Sequence, residues 1–199
     1  MSDTAMFEGT LAVIGGGKMG EAIIGGLVSS AALSSAQIAV AEPSAERRED
    51  LAERFGVRVS ADGRDVVPGA AAVLLAVKPQ VMDGVVSSLA DLVGGAIVVS
   101  IAAGITTARL ESLLPAGTAV VRVMPNTPAL VGSGVALVSG GSDASAEQVE
   151  LVRALFGAIG TALVLEEKLQ DAGTAISGSG PAYFALVVDA LARAGVAQG

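Results

Sequence analysis

The sequence predicts an α/β protein, with a doubly wound parallel sheet covered by helices and then the start of an all-helical domain. Three observations support this prediction. Short apolar runs alternate with amphipathic stretches up to about residue 165, as expected for successive βα units. The runs 72–77 and 96–101 are almost entirely apolar, which is typical of strands buried on both faces. Glycine is frequent, with 26 residues, and aromatic residues are scarce at 3%, so helices can pack closely on the sheet.

The order of the predicted elements follows from these alternating patterns. Strands are predicted at 10–14, 37–41, 57–60, 72–77, 96–101, 118–123, 134–139 and, more weakly, 161–165. Helices are predicted at 18–31, 44–56, 79–93, 106–114 and 145–160. Their ends carry suitable residues, namely the caps Ser44, Gly56 and Ser145 and the first-turn residue Pro79. Strands stop near 166, so we predict one domain at 1–165 and the first helices of a second, incomplete domain at 166–199.

Composition excludes several classes of function. The net charge is −8 without any run of Lys or Arg, which argues against nucleic acid and anionic membranes as partners. The chain has no Cys and no His, so we expect no disulfide, no thiolate chemistry and no metal site. The N-terminus lacks the features of a signal peptide, and no uninterrupted apolar run reaches membrane-spanning length. A cytoplasmic location is therefore expected.

A glycine-rich loop follows the first strand and opens the first helix. The segment Gly15 to Gly20 fits the pattern GxGxxG. Gly15 would allow a tight turn, Gly17 would let the backbone approach a pyrophosphate, and Gly20 would let the helix pack against the strand. This context favours a dinucleotide-binding Rossmann fold over a plain glycine-rich turn.

The end of the second strand bears on the choice of cofactor. Glu42 lies where an acidic residue binds the ribose hydroxyls of NAD and repels the 2′-phosphate of NADP. Ser44, Arg47 and Arg48 follow and could hold that phosphate, so the preference between NADH and NADPH stays open. The structural alternative is a strand-end turn followed by a solvated helix face.

Two further strands end in polar residues at the edge where ligands bind in such sheets. Lys78 follows the apolar run 72–77, and its alternative role is a solvated lysine. Asn126 lies between two prolines after 118–123. Its carboxamide could bind a ribose hydroxyl or a substrate, or form a simple Asx turn.

The last motif is the segment Ser177 to Tyr183, which precedes an apolar helix. Its glycines Gly178 and Gly180 are expected to permit positive φ angles and close approach of the chain, and Ser179 is expected to cap the helix. The Ser177 hydroxyl and the first N–H groups of the helix could point at the substrate or the nicotinamide amide. Tyr183 is either a proton donor or a packing residue. A helix–helix corner is the structural alternative.

Five motifs together resemble the pyrroline-5-carboxylate reductase family, which reduces 1-pyrroline-5-carboxylate to L-proline with NADPH or NADH. They are IGGGKMG at 14–20, AVKPQ at 76–80, SIAAGI at 100–105, VRVMPNTPA at 121–129 and DAGTAISGSGPAYF at 171–184. The last is the most specific. Family members continue beyond the point where this chain stops, with helices that form a dimer interface and a turn that binds the substrate carboxylate. The resemblance therefore implies a homodimer or larger homo-oligomer and a truncated chain.

The resemblance also implies which residues form the site. The cofactor would contact the phosphate loop, the end of the second strand and the nicotinamide side of the cleft, through Ile14, Gly15, Gly16, Gly17, Lys18, Met19, Gly20, Glu42, Ser44, Ala76, Val77, Lys78, Pro79, Ile101, Ala102, Ala103 and Asn126. The catalytic cleft would contain Asn126, Ser177, Ser179 and Tyr183. Glu42 departs from the small or basic residue often found there, and Gly63 replaces an Asn that some members have near the cofactor.

The absence of His suits an imine substrate. Reduction of a ketone needs an acid to protonate the oxygen, whereas a cyclic imine is basic enough to be protonated in solution near neutral pH. A 3-hydroxyacid dehydrogenase is disfavoured, because such enzymes carry a catalytic Lys on the long helix after the boundary and residues 179–199 contain none. Reduction of another cyclic imino acid and a non-catalytic dinucleotide-binding module remain as alternatives.

Overall fold

The computed structural model describes residues 8–199 as a sheet with helices on both faces, followed by consecutive helices. The strands are β1 Leu11–Ile14, β2 Ile38–Ala41, β3 Arg58–Ser60, β4 Ala72–Leu75, β5 Ile97–Ser100, β6 Val120–Met124, β7 Gly134–Gly140 and β8 Gly160–Val164. The helices are α1 Lys18–Ser29, α2 Ala45–Phe55, α3 Met82–Leu89, α4 Thr107–Glu111, α5 Ala146–Gly157, α6 Gln170–Ser177 and α7 Gly180–Gln198. Short 3₁₀ helices include Pro79–Val81, Thr127–Val131 and Glu167–Leu169. All predicted strands and helices are confirmed in position, and most are shorter than predicted, while β6 and β7 each end one residue later and β8 is shifted by one residue.

The sheet order is β3-β2-β1-β4-β5-β6-β7-β8, and β1 to β6 run parallel. The chain moves outward from β1 to β3 and then crosses back to β4 on the other side of β1. This reversal creates a crevice between the carboxyl ends of β1 and β4, where open α/β sheets bind ligands. The predicted doubly wound Rossmann-type sheet is confirmed.

One strand direction was not predicted from the sequence. β7 pairs antiparallel with β6, with Met124 opposite Leu137, and β8 runs parallel to β7. Only residues 125–133 connect β6 to β7, and part of this connection is the 3₁₀ helix. A parallel crossover needs a dozen or more residues, so the chain turns back instead. The start of β7 therefore lies beside the carboxyl end of β6.

The core is divided between the two faces of the sheet. In β1, Leu11 and Val13 pack toward α1, α2 and α5, against residues such as Leu51 and Phe156. Ala12 and Ile14 pack on the opposite face toward α3 and α4, with residues such as Met82 and Leu110. Because both faces are covered, β1, β2 and β4 are apolar at every position, as the sequence pattern predicted.

The predicted helix ends are confirmed at α2 and α5. The Ser44 hydroxyl accepts a hydrogen bond from the N–H of Arg47, and Gly56 ends α2 with φ +67°. At α5, Ser145 and Gln148 form a reciprocal capping box. These local interactions satisfy backbone groups that a helix leaves unpaired at its ends.

The junction between α6 and α7 differs from the prediction. Gly178 has φ −72° and ψ −44°, Gly180 is also not among the positive-φ residues, and the chain stays helical through the junction. The N–H groups of Gly178 and Ser179 both donate to the carbonyl of Thr174. A Cβ on Gly178 would lie 2.8 Å from that carbonyl oxygen, so close packing explains this glycine. Ser179 occupies the N-cap position but its side chain accepts no capping hydrogen bond, so that prediction is wrong.

Candidate functional site

The positions of the phosphate loop are occupied by glycine for different structural reasons. Gly15 has φ +105°, and a Cβ there would lie 2.7 Å from the carbonyl oxygen of Ala76. A Cβ on Gly20 would lie 2.3 Å from the Gly15 carbonyl oxygen, so α1 can approach the loop only with glycine at this position. At Gly16 the obstacle is Leu51 of α2, 2.5 Å from the added Cβ. Gly15 and Gly20 thus meet backbone atoms and need glycine for the fold itself, whereas Gly16 meets only the end of a side chain.

Gly17 is different, because a Cβ there would meet nothing within 4 Å and the backbone has an ordinary extended conformation. It borders open space at the N-terminus of α1. Among the described residues, no hydrogen-bond acceptor is found for the N–H groups of Gly17, Lys18 and Met19. Free N–H groups and the helix dipole make this place suitable for a phosphate group.

Two cavities lie on either side of this loop. One has a volume of about 430 Å³ and is formed at the ends of β1, β2 and β3, with Ile14, Gly15, Ala41 and Gly63 among its walls. The other has a volume of about 320 Å³ and lies at the ends of β1, β4, β5 and β6. The walls of the second include Gly17, Lys18, Met19, Ala76, Val77, Lys78, Pro79, Ile101, Ala102 and Ala103. The structure thus brings most of the predicted cofactor residues to one edge of the sheet.

Glu42 contacts the phosphate loop directly. One carboxylate oxygen accepts a hydrogen bond from the Gly16 N–H at 2.9 Å, and the other accepts from the Ser44 N–H at 2.9 Å. Arg48 donates to the backbone carbonyls of Glu42 and Pro43 at 2.7 and 2.8 Å. Glu42 therefore lies at the end of β2 with its carboxylate held beside the loop, as a ribose ligand would require.

A charged cluster on α1 and α2 was missed by the sequence analysis. Glu21, in the first turn of α1, has a side chain only 9% exposed and accepts hydrogen bonds from Arg47 at 2.9 Å and Arg54 at 2.5 Å. Burial raises the pKa of Glu21, but the hydrogen bonds of Arg54 and Arg47 outweigh it and leave the pKa below its ordinary value. Its only sequence signal is an acidic residue within an otherwise apolar helix.

Asn126 is buried at the end of β6, with its carboxamide between two backbone groups. Its Nδ2 donates to the carbonyl oxygen of Ser177 at 2.9 Å, and its Oδ1 accepts from the N–H of Val135 at 2.8 Å. Asn126 thus joins the end of α6 to the sheet. It directly follows Pro125, which is part of the wall of the 320 Å³ cavity.

The other predicted catalytic residues lie around this junction but not on the cavity wall. The Ser177 hydroxyl donates to the Gly173 carbonyl at 3.0 Å within α6. Tyr183 lies on α7 with 60% of its surface exposed. Asn126, Ser177, Ser179 and Tyr183 do not border the 320 Å³ cavity in the described chain, so their catalytic role stays a prediction.

A second polar cluster, also missed, joins the sheet to the helical region. Arg122 of β6 is 4% exposed and contacts Glu167 at 3.3 Å and Asp171 at 3.0 Å. Glu167 also accepts hydrogen bonds from the N–H and hydroxyl of Thr107. Gln170 is fully buried, and its Nε2 donates to the Ser139 hydroxyl at 3.0 Å. The sequence feature that could have predicted this cluster is an arginine inside the apolar run of β6, because a buried charge is usually paired.

Comparison with protein families divides the chain into two matches. Residues 10–104 match the family described as NADP oxidoreductase coenzyme F420-dependent. Residues 167–199 match the family described as pyrroline-5-carboxylate reductase dimerisation. The second match covers α6 and α7.

The chain is similar to known proteins over almost its whole length. It is 41% identical to the pyrroline-5-carboxylate reductase of Synechocystis over 95% of this chain and 70% of that protein. The structure of a pyrroline-5-carboxylate reductase from Coxiella burnetii superposes with a TM-score of 0.90 and 31% identity, over 95% of this chain and 71% of the other. Plasmodium falciparum pyrroline carboxylate reductase with NADP bound gives a TM-score of 0.87 and 26% identity, over 96% of this chain and 71% of the other.

The helical segments from Glu167 to Gln198 are long and apolar enough to cross a membrane by length and composition alone, with a mean hydropathy of 1.3 over the most apolar window. Polar and turn residues, among them Asp189 and Arg193, interrupt this stretch. The same residues match the dimerisation family, so their apolar surface is of the kind that contacts another protein chain.

Proposed function

The chain belongs to the pyrroline-5-carboxylate reductase family, and we propose that it reduces 1-pyrroline-5-carboxylate to L-proline by hydride transfer from NADH or NADPH. One contact supports this proposal above the others. The Asn126 carboxamide binds the Ser177 carbonyl and brings the motif 177–183 beside the end of β6. Asn126 directly follows Pro125, which borders the 320 Å³ cavity, whereas the motif residues Ser177, Ser179 and Tyr183 do not border it in the described chain.

The described residues fit a nicotinamide dinucleotide. The cavity at β1, β2 and β3 would take the adenosine half, Gly17 to Met19 would bind the pyrophosphate, and the cavity at β4, β5 and β6 would take the nicotinamide half. Glu42 would accept hydrogen bonds from the ribose hydroxyls. The cofactor supplies a hydride, and the chain supplies the surface that orients it.

The chemistry of the second cavity suits an imine. Among the described residues, its ionisable wall residues are Lys18 and Lys78, and no carboxylic acid, Tyr or His lies in its wall. A protonated cyclic imine already has an electrophilic carbon, so the hydride forms the new C–H bond while the π electrons of the C=N bond move to nitrogen. The task of Ile101, Ala102 and Ala103 is then to leave room for the ring and to exclude water.

The assembly and location follow as further parts of the proposal. We infer that a second copy of the chain covers the apolar surface of α7, which gives a homodimer or a larger homo-oligomer. The domain boundary lies between 165 and 166, after β8 and before the 3₁₀ helix Glu167–Leu169. The protein acts in the cytoplasm on a small molecule, without nucleic acid or membrane as a partner.

The test is oxidation of NADH and NADPH, measured side by side at their nicotinamide absorbance, with 1-pyrroline-5-carboxylate added. Because the chain spans 70% of the length of the Synechocystis relative, the assay is run on this chain alone and on the chain extended by the remainder of that relative. Oxidation that depends on the imine supports the proposal. A six-membered cyclic imino acid, tested in parallel, distinguishes a reductase for another ring.

Cofactor binding without any imine-dependent oxidation in either protein would overturn the proposed reaction. That outcome would leave the second candidate, a non-catalytic dinucleotide-binding module. The free N–H groups beside Gly17 are the observation that favours this candidate, because they explain binding without requiring chemistry.

A further inference from the structure

Both backbone groups of Gly16 are held by side chains from outside the phosphate loop. Its N–H donates to Glu42 at 2.9 Å, and its carbonyl oxygen accepts a hydrogen bond from Nη2 of Arg47. The same Nη2 donates to Glu21 at 2.9 Å. Arg47 is therefore a bridge from α2 to both the loop and the first turn of α1.

This bridge has a consequence for the next N–H group. The carbonyl of Gly16 and the N–H of Gly17 belong to one planar trans peptide unit and point in opposite directions. Because Arg47 holds the carbonyl toward α2, the N–H of Gly17 points away from α2. Gly17 borders the open cavity, and its N–H has no acceptor among the described residues.

Arg47 also acts on the charge near the anion site. Glu21 is a nearly buried carboxylate one turn into α1, and unpaired it would repel a phosphate at the helix N-terminus. Arg54 contacts the same carboxylate at 2.5 Å, and in the described part of the chain its side chain makes hydrogen bonds to Glu21 and Asp50 but none to the loop. The two arginines thus share the neutralisation of Glu21, and of the two only Arg47 contacts the backbone of Gly16.

We propose that Arg47 is a positioning residue for the cofactor, which orients the peptide between Gly16 and Gly17 so that its N–H binds the pyrophosphate. The inference rests on the proposed function, since its ligand is the dinucleotide. It assigns Arg47 a different role from a 2′-phosphate ligand, because its guanidinium is directed at the loop and α1. The role is accordingly the same for NADH and NADPH.

The test measures dissociation constants for NADH, NADPH and ADP-ribose with Arg47→Met. We expect all three to rise by a similar factor of about ten, as for loss of one oriented hydrogen bond to a charged group. Arg54→Met is the matched variant, because it removes a Glu21 partner but leaves the Gly16 carbonyl bound, and a smaller rise is expected. Arg153→Met removes an exposed ion pair on α5 and serves as the background control.

A double variant separates orientation from charge. Glu21→Gln combined with Arg47→Met removes the charge of the Glu21 carboxylate, which in Arg47→Met keeps Arg54 as its hydrogen-bonded partner. We expect cofactor binding to stay weak in the double variant because the Gly16 carbonyl still lacks its donor. Recovery in the double variant would overturn the inference, and so would unchanged binding in Arg47→Met or a loss confined to NADPH. Circular dichroism tests whether each variant is folded. Arg47→Lys keeps the charge and is expected to bind the cofactor with intermediate affinity. If Arg47→Met is unfolded, Arg47→Lys takes its place in the comparison.

The two proposals fail in different ways. If the unmodified chain binds dinucleotides but does not turn over the imine, the proposed reaction is wrong and the role of Arg47 stands on the binding data. If the unmodified chain turns over the imine and Arg47→Met binds the cofactor normally, only the role of Arg47 is wrong.

Discussion

The helices α1 and α7 are both rich in apolar residues, but their surroundings differ. In α1 the buried residues are Gly20, Glu21, Ala22, Ile23, Ile24 and Leu27, which pack between the sheet and α2. In α7, which is 19 residues long, none is buried within the described chain, and Leu186, Val187 and Leu191 are more than half exposed. An apolar helix that its own chain leaves uncovered indicates a protein partner. The phosphate-loop region is thus complete within one chain, whereas the C-terminal helical region needs a second surface.

The largest expected effect tests the exposed side of this comparison. Replacing Leu191, which is 68% exposed, with Glu should weaken self-association by placing charges in an apolar contact. In a symmetric dimer the change occurs twice, and each lost leucine contact costs about 2 kcal/mol of association free energy. The sum corresponds to a roughly 1,000-fold rise in the dimer dissociation constant. Sedimentation equilibrium measures this change, and Leu191→Met should keep the association. A monomeric unmodified chain would contradict the comparison.

The second prediction tests the phosphate-loop side. Gly17→Asp should raise the dissociation constant for NADH and NADPH at least about 100-fold, because the carboxylate would both collide with and repel the pyrophosphate. Folding should be unaffected, since a Cβ on Gly17 meets nothing within 4 Å. Gly95→Asp is the matched control, as Gly95 has similar space but precedes the amino end of β5. Normal cofactor affinity in Gly17→Asp would disprove the phosphate-loop assignment.

The third prediction concerns the connection between the two regions. Arg122→Met should lower the free energy of unfolding by about 2 kcal/mol, because Glu167 loses a buried partner at the junction. Urea denaturation measures the loss. Arg109→Met, which breaks an exposed pair with Asp83, should cost less than about 1 kcal/mol. Equal losses in the two variants would show that burial of Arg122 has no special importance.

The smallest expected effect concerns cofactor preference. Glu42→Ser should raise the affinity for NADPH relative to NADH about tenfold, or about 1.4 kcal/mol, by removing a negative charge from the 2′ position. Glu46→Ser, in the first turn of α2, removes an exposed charge nearby and is the control. If both cofactors weaken together at a constant ratio, Glu42 serves to hold the Gly16 N–H and does not select the cofactor.

Local chemistry explains why so much of the fold could be predicted. Ser44, Gly56 and Ser145 act through hydrogen bonds or φ angles within a few residues, so their roles follow from neighbouring sequence. The apolar strands follow from burial on both faces. The phosphate loop could be predicted equally well, since Gly15 has a positive φ angle and a Cβ on Gly20 would meet the Gly15 carbonyl within the same strand–turn–helix unit.

The features that the sequence analysis missed are contacts between residues that are distant in sequence. The feature that it predicted wrongly is the backbone conformation at a glycine, because glycine allows both helical and positive φ angles. For Gly178 both a positive φ angle and close approach of the chain were expected, and the structure contains only the close approach, to the carbonyl of Thr174. The contact of Arg47 with Gly16 spans 31 residues, and that of Asn126 with Ser177 spans 51. No periodicity or spacing rule indicates which distant partner a polar side chain will reach.

By itself the sequence determined the order of strands and helices, the turn chemistry and the dinucleotide loop, because each depends on steric and hydrogen-bonding limits within a short segment. Only the tertiary structure decided the reversal of β7, the bridge from Arg47 to the loop, the burial of Asn126 and the exposure of α7. These features depend on which strands pair and which helices pack on the sheet, and that is decided by packing across the whole chain.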